Sequence, residues 1–295
     1  MEYCLELNNG NKICVSKTAY KERSFINRDL SFHFAFNGCE NFFFKKRTLA
    51  IFPDSFLTLS SGTVCAVDVN SPYPVQLMSV YFSKEFVADF KRSLLVNASK
   101  MLDNPAGLDP SEDLVINETI HPFIGDMKYN IGHLNDLVNS NSQDELLISE
   151  HLYHALLNYH SLYKKEIFQI EKNLSFLQKG TREEIYRRLN LAREYIYSNY
   201  NQSINLKDLA SYSCMSVTHL IRTFKQAYDM TPHQFLMQIR LNRSRLLLRS
   251  TNYPINEVVN LIGFDSTSTF IKLFRQRYDT TPLKYRRSNS ISIPA

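Results

Sequence analysis

The chain has 295 residues, 44% hydrophobic and 21% charged, with 8 Gly and 10 Pro. Apolar content at that level fills real cores and excludes collagen-like, mucin-like and bulk-disordered chains. The net charge of +5 conceals a split, because residues 1–180 carry 17 Lys+Arg against 21 Asp+Glu while residues 181–295 carry 17 against 8; only the second part has the electrostatic footprint of a polyanion binder.

Residues 1–100 read as strands. Ser31-Phe32-His33-Phe34-Ala35-Phe36 alternates small or polar residues with Phe, the period of a half-buried strand, and Asn37-Gly38 follows as a hairpin dipeptide. Residues 49–59 are interrupted by Pro53-Asp54, Ser60-Ser61-Gly62 is a turn, residues 63–69 are strand-like, and Pro72 and Pro74 mark a loop before a strand over 75–82. Short strands between turns predict a small antiparallel barrel or sandwich. The grammar becomes helical at Ser83, a cap for Phe86, Val87, Phe90 and Leu94. After a loop over 103–107, helical spacing runs through 114–137 and again through 146–159. Those helices either pack on the barrel or form a dimer seam. His151 and His154 lie three apart beside Glu150, yet solvated helix-face residues are the stronger reading and no metal is expected.

Everything after Gly180 is helical and contains a repeat. Leu206-Lys207-Asp208-Leu209-Ala210 corresponds to Ile255-Asn256-Glu257-Val258-Val259, and residues 216–232 correspond to 266–282, with Phe224/Phe274, Tyr228/Tyr278 and Thr231-Pro232/Thr281-Pro282 identical. Each copy reads as a short helix, a tight turn and a second helix capped by Ser216 or Ser266, which is helix-turn-helix grammar. Leu220 with Phe224 and Phe270 with Phe274 are apolar i,i+4 pairs for the core. The opposite faces carry Thr218, Ile221 and Arg222, and Ser268, Thr269 and Lys272, groups that can bond base edges or meet a thymine methyl in a major groove. Between the copies, Thr231-Pro232 starts a helix to about Ser250 with Phe235, Leu236, Ile239 and Leu246 apolar and Arg240, Arg243, Arg245 and Arg249 basic. Its length, about 27 Å, is near the roughly 34 Å between successive major-groove faces.

Residues 181–287 resemble the DNA-binding domain of AraC/XylS-family transcription regulators, through Ser216-x-x-x-Leu220-x-Arg222-x-Phe224-Lys225, Gly263-Phe264, Phe270-x-x-x-Phe274-Arg275 and Thr281-Pro282-x-x-Tyr285-Arg286. The resemblance implies two helix-turn-helix units on double-stranded DNA, most often in an activator, with RNA polymerase as a partner. It carries Thr218, Ile221 and Arg222 over as the first base-reading set and Ser268, Thr269 and Lys272 as the second, with Ser216, Lys225, Arg243, Arg245, Ser266 and Arg275 as phosphate or supporting contacts. Three departures stand out. Cys214 occupies a turn position where glycine is usual, Val259 replaces a small alanine, and Lys272 replaces an arginine, turning a bidentate guanine contact into a point charge.

The strand-then-helix order of the first part is similar to the cupin-like sensory domain of the same family, which implies a small-molecule effector and a homodimer. The expected fold class is thus α+β: a cupin-like barrel over 1–100, a helical dimerisation or linker region over 101–180 and the DNA-binding domain over 181–295. Arg28, His33, Phe34, Phe36 and Arg47 are candidates for an effector pocket, although Phe at alternating positions reads first as core. Only His33 lies among the strands, and no paired-carboxylate, Cys/His or metal constellation is evident, so neither enzymatic activity nor a cofactor is expected. The alternatives are a metal-independent cupin-type enzyme and a co-regulator that no longer reads DNA. Five scattered cysteines without a CxxC pair read as thiols in a reducing cytosol. No apolar run approaches the roughly 18 residues of a membrane span, and Met1-Glu2-Tyr3-Cys4 is not signal-like, so a cytoplasmic protein is expected.

Overall fold

The computed structural model of the chain describes residues 2–45, 47–96, 118–140, 142, 144–174 and 178–289. The chain divides into two compact units, residues 1–166 and 167–295, and its fold class is α+β. In the first unit, β1 (Glu2–Glu6), β2 (Lys12–Ile26), β3 (Leu30–Ala35), β4 (Glu40–Phe43), β5 (Thr48–Ile51), β6 (Ser55–Leu59), β7 (Val64–Phe82) and β8 (Ile120–Pro122) pair in antiparallel ladders. The path is β1-β2-β7-β3-β6-β8, with β4 joining β7 to β5.

Strand β7 is the hub, and it runs through the segment expected to be a loop. Residues 71–74 have no partner in the β2 ladder, whose register shifts between Thr18 and Tyr20. Pro72 and Pro74, which lack an N–H, therefore sit where no ladder donor is required. Asn37-Gly38 does turn the chain, with Gly38 at φ +70, but it connects β3 to β4, which each pair with β7 and not with one another.

Strand β3 is buried on both faces, not one. Phe32 and Phe34 enter a core with Phe56, Phe82 and Phe123 and with residues of three helices, α1 (Lys84–Val96), α2 (Gly125–Asn139) and α3 (Glu145–Asn173). There the Phe32 ring lies 5.2 Å from Tyr159 and Phe34 lies 5.0 Å from Phe123. Ser31 and His33 are buried too, bonded to each other at 2.9 Å, with His33 also 2.9 Å from the Ser79 hydroxyl. The polar half of the alternation marks an enclosed polar interior, because side chains that satisfy one another need no water.

The cap on α1 forms as expected, with Phe86 N donating to Ser83 Oγ at 3.2 Å. The loop over 103–107 and residues 114–117 lie outside the described residues. Within the remainder of the expected helix, Ile120–Pro122 is instead strand β8 on β6. Pro122 biases the residue before it toward extended backbone, and helix α2 starts only at Gly125. Cys4 and Cys14 face each other in the β1–β2 ladder as a disulfide, in contrast to the expected set of thiols, while Cys39, Cys65 and Cys214 are in no disulfide. Their pairing follows from hairpin register, which spacing alone does not reveal.

The second unit contains α4 (Lys179–Asn199), α5 (Leu206–Tyr212), α6 (Val217–Tyr228), α7 (Pro232–Ser250), α8 (Ile255–Leu261), α9 (Thr267–Tyr278) and α10 (Pro282–Asn289). The repeat is structural: α5–α6 and α8–α9 each bury the predicted apolar faces, Leu209, Leu220 and Phe224 in one and Val258, Phe270 and Phe274 in the other. A capping box between Thr231 and Gln234, with Pro232 at the first helical position, opens α7. Among the described residues no helix is long and apolar enough to cross a membrane.

Candidate nucleic-acid interface

Both turns use the same backbone device. Helix α5 ends with Cys214 N donating to Ser211 O at 3.0 Å and Met215 N donating to Ala210 O at 2.8 Å; α8 ends with Gly263 N donating to Asn260 O and Phe264 N to Val259 O, each at 3.0 Å. This paired closure is a Schellman motif, which places its central residue in the left-handed region. Gly263 has φ +76, and Cys214 adopts the same conformation at φ +54. The turn around Cys214 is thus built like its glycine counterpart, and the side chain bears the strain. Val259, the second departure, is buried at the position that Ala210 fills in the first unit.

Two residues beyond Cys214 and three beyond Gly263, a serine caps the second helix of each unit. Ser216 Oγ accepts from His219 N at 3.3 Å, and Ser266 Oγ accepts from Thr269 N at 3.4 Å. Their hydroxyls therefore fix the helix starts. Behind the caps, Thr218, Arg222 and Lys225 on α6 are exposed and Ile221 is half-buried; on α9, Ser268, Thr269, Lys272 and Arg275 are exposed. Helical spacing sets these residues on one side of each helix, opposite the buried Leu220/Phe224 and Phe270/Phe274 pairs. The structure also exposes Ile271 at 38%. It is the counterpart of Ile221 in the repeat, a correspondence that the sequence alignment contains but the expected reading set omitted.

The connecting helix behaves differently from expectation. Arg243 is only 3% exposed, donates through Nη1 to Tyr197 O at 3.0 Å and lies 3.8 Å from the centre of the Tyr200 ring, so it offers no free face to a phosphate. Arg240, 5% exposed, donates to Tyr200 O at 2.7 Å and Gln202 O at 2.8 Å. Arg245 is half-buried over the Tyr278 ring at 4.9 Å. Guanidinium groups stacked on aromatic rings and bonded to carbonyls hold helices together. These three are the mortar between α7 and its neighbours, whereas Arg249 is exposed. Composition distinguishes none of these roles, because an arginine looks the same in sequence whether it faces a ring or water.

Among the residues expected around an effector, His33 alone lines a cavity in the first unit. This cavity of about 40 Å³ is lined by Lys21, Arg23, His33, Glu40, Ser79 and Tyr81, among others. Phe34 is buried in the core against the helices and Phe36 packs on that core, Arg28 is exposed, and Arg47 donates to the Glu118 carbonyl at 2.7 Å. Burial pushes the Glu40 carboxyl up from its ordinary value while Lys21, 3.0 Å away, draws it back. Burial, aided by the Lys21 charge, lowers His33 to about 3, so its imidazole is neutral at physiological pH. The volume admits about three waters. Lys21, Glu40 and Tyr81 come from three strands, and only the register of the sheet brings them together. His151 Nδ1 donates to Asn130 Oδ1 at 2.7 Å, and among the described residues no three candidate ligands converge as a metal site.

Residues 209–288 match the family described as a helix-turn-helix domain. An uncharacterized HTH-type transcriptional regulator, YdeC, of Bacillus subtilis is 33% identical over 123 residues, 42% of this chain and 40% of that protein. The HTH-type transcriptional activator RhaS of Klebsiella pneumoniae is 27% identical over 146 residues, 50% of this chain and 51% of that protein. Among solved structures, the C-terminal domain of AraT, a response regulator from Geobacillus stearothermophilus, is 29% identical, with 37% of this chain and 90% of that one covered at a TM-score of 0.35. The chain spans about half or less of the length of these curated relatives. The match confines the likeness to residues 209–288, which are similar to helix-turn-helix domains of transcriptional regulators.

Proposed function

We propose that the protein is a sequence-specific transcription regulator, an activator working through RNA polymerase, which binds double-stranded DNA with residues 181–295. Residues 1–100 sense a small effector, residues 101–180 link or dimerise, and the chain performs no catalysis and uses no cofactor. The observation that supports this reading is the duplication itself. Two helices in one unit, each capped by serine and each starting from the same turn, expose hydroxyl and cationic side chains on the face opposite their buried apolar pair. Such faces suit base edges, and the +9 charge excess of 181–295 suits the phosphates around them. The cavity at His33 is the starting point for effector binding, and at about 40 Å³ it must open to admit anything larger than a few waters.

Selection of random duplexes on the full chain tests this reading. Recovery of a two-part site with halves about one helical turn apart, bound about 10³-fold or more above scrambled DNA, is the expected result; no enrichment overturns it. Arg222→Ala then weakens the recovered site by about 1–3 kcal/mol more than random DNA if Arg222 reads a base. Equal losses on both make it a phosphate contact.

A further inference from the structure

Helix α4 lies outside the stretch that matches the helix-turn-helix family; it touches the first turn, and the segment just past its end touches the second. At the second turn the approach is of backbone to backbone, so close that a Cβ added to Gly263 would stand 2.6 Å from Asn201 O and 2.9 Å from Asn201 Cα, just past the end of α4. At the first turn it is a side chain. Arg188 Nη1 donates to Cys214 O at 2.8 Å, while its Nε donates to Glu184 Oε1 at 2.7 Å. Glu184 is in turn gripped by Arg187, through Nε and Nη2 at 2.9 Å each. The guanidinium is consequently oriented before it reaches the turn. These two arginines hold the Glu184 carboxyl down at about 2, so it remains a charged partner throughout the neutral range.

On the side of α6 that carries Arg222, that bond stands beside open space. A cleft of about 540 Å³, lined by Thr181, Glu184 and Arg188 from α4 and by His219, Arg222 and Thr223 from α6, separates the two helices there. Cys214 precedes the Ser216 cap by two residues, so the carbonyl that Arg188 holds lies immediately upstream of the start of α6. The far end of α4 is locked by the carbonyls of Tyr197, Tyr200 and Gln202, which accept from Arg243 and Arg240. Helix α4 and the residues just past it thus contact both units, the second by close backbone approach at Gly263 and the first by the Arg188 bond to its turn together with Tyr195 against the Tyr212 ring and Arg193 over the Tyr228 ring.

We infer that Arg188 is a positioning residue: by holding the Cys214 carbonyl it sets the pitch of α6 against α9, and with it the discrimination of bases by the first unit. The inference rests on the DNA-binding reading above and adds to it a determinant of specificity that touches no base.

The test uses full-length protein and the duplex recovered with wild type, with single substitutions scanned across both half-sites at two salt concentrations. Arg188→Lys keeps the charge but loses the fork, and Arg188→Met loses both. The expected result is a loss of about 10-fold in discrimination within the half-site read by α6, nearly the same for both variants, with discrimination in the other half unchanged and the salt slope of Arg188→Lys equal to wild type. Glu184→Gln, which leaves the cation in place without its orienting carboxylate, shows the same half-site loss at smaller amplitude. If Arg188→Lys matches wild type while Arg188→Met weakens specific and random duplexes alike and lowers the salt slope by about one, the residue is a phosphate contact and the inference is overturned. Amide exchange without DNA keeps the inference testable if wild type selects no site. Protection over residues 215–219 should fall about 10-fold in Arg188→Met with residues 264–269 unaffected, and unchanged protection refutes the positioning role whatever the DNA result.

Discussion

The two turns make opposite demands on the same backbone conformation, and exchanging their residues measures the difference. In Gly263→Ala, the new Cβ meets two penalties. A left-handed φ of +76 costs an alanine about 1–2 kcal/mol, and the Cβ stands 2.6 Å from Asn201 O, backbone that must retreat. Asn201 is held on either side, since the carbonyls of Tyr200 and Gln202 accept from Arg240 at 2.7 and 2.8 Å. Weakening one hydrogen bond from a charged group costs up to about 1.5–3 kcal/mol, so the total is about 2.5–5 kcal/mol. In Cys214→Gly, the φ of +54 becomes free of strain, the side chain removed is exposed, and the greater entropy of an unfolded glycine returns about 0.4–1 kcal/mol of the gain. The net is stabilisation of about 0.5–1 kcal/mol. Because the chain has two compact units, a single melting curve mixes them. Hydrogen exchange read separately over 206–228 and 255–278 isolates each turn. Gly263→Ala with exchange unchanged in the second stretch, or Cys214→Gly with faster exchange in the first, would refute the argument.

Other expectations follow from the burial and bonding of particular side chains. Arg243→Ala removes a guanidinium stacked on Tyr200 and bonded to Tyr197 O, so amide exchange read over residues 232–250 should show a loss of about 2–4 kcal/mol. The salt slope of DNA binding should stay constant, and a stable variant with a reduced slope would return Arg243 to the phosphate contacts. Phe34→Ala, which empties a site stacked at 5.2 Å on Phe56, should cost about 3–5 kcal/mol in urea unfolding, and a cost below 1 kcal/mol contradicts its place in the core. His33 titrates near 3 in the fold against an ordinary 6.5, so the unfolded chain takes the proton first. The stability it contributes is whole above about pH 6.5 and falls by about 1.4 kcal/mol per pH unit toward pH 3. Glu40, whose carboxyl is raised by burial, acts in the opposite sense, so the quantity to measure is the difference between wild type and His33→Gln. A parallel pH course for the two proteins would contradict a buried neutral imidazole.

The helical half was legible because its signals are local. A serine cap, an i,i+4 apolar pair and a Thr-Pro start are each read within five residues, and the repeat displays them twice. The sheet half was legible only in part. The Phe alternation in β3 marks a strand, but burial of its Ser31/His33 face depends on Ser79, 46 residues away from His33. Pro72 and Pro74 read as a break because in sequence a proline carries no record of whether its position needs a donor. The same limit explains Arg240 and Arg243, whose partners lie 40 and 46 residues back in the chain, and Arg188, whose partner is a backbone oxygen. Long side chains that bond to distant backbone leave no periodicity.

The asymmetry between the units reaches the reading faces. Arg222 presents a planar fork that matches two acceptors of a guanine, while Lys272 at the equivalent position presents one strongly hydrated charge on a flexible stem. Both side chains are exposed on otherwise similar helices, so the difference lies in the headgroup and not in its setting. On the proposed reading, discrimination is concentrated in the half-site facing α6, the unit whose turn Arg188 holds. Lys272→Arg tests this directly. A bidentate pair to one base is worth about 1–3 kcal/mol of discrimination, so the variant should acquire a preference for one guanine in the second half-site of about 5- to 150-fold, with its salt slope unchanged because the charge is unchanged. The first half-site should read as before. A variant that binds all second-half sequences as wild type does would place Lys272 on the phosphate strand, and the second unit would then supply affinity and register while the first supplies sequence.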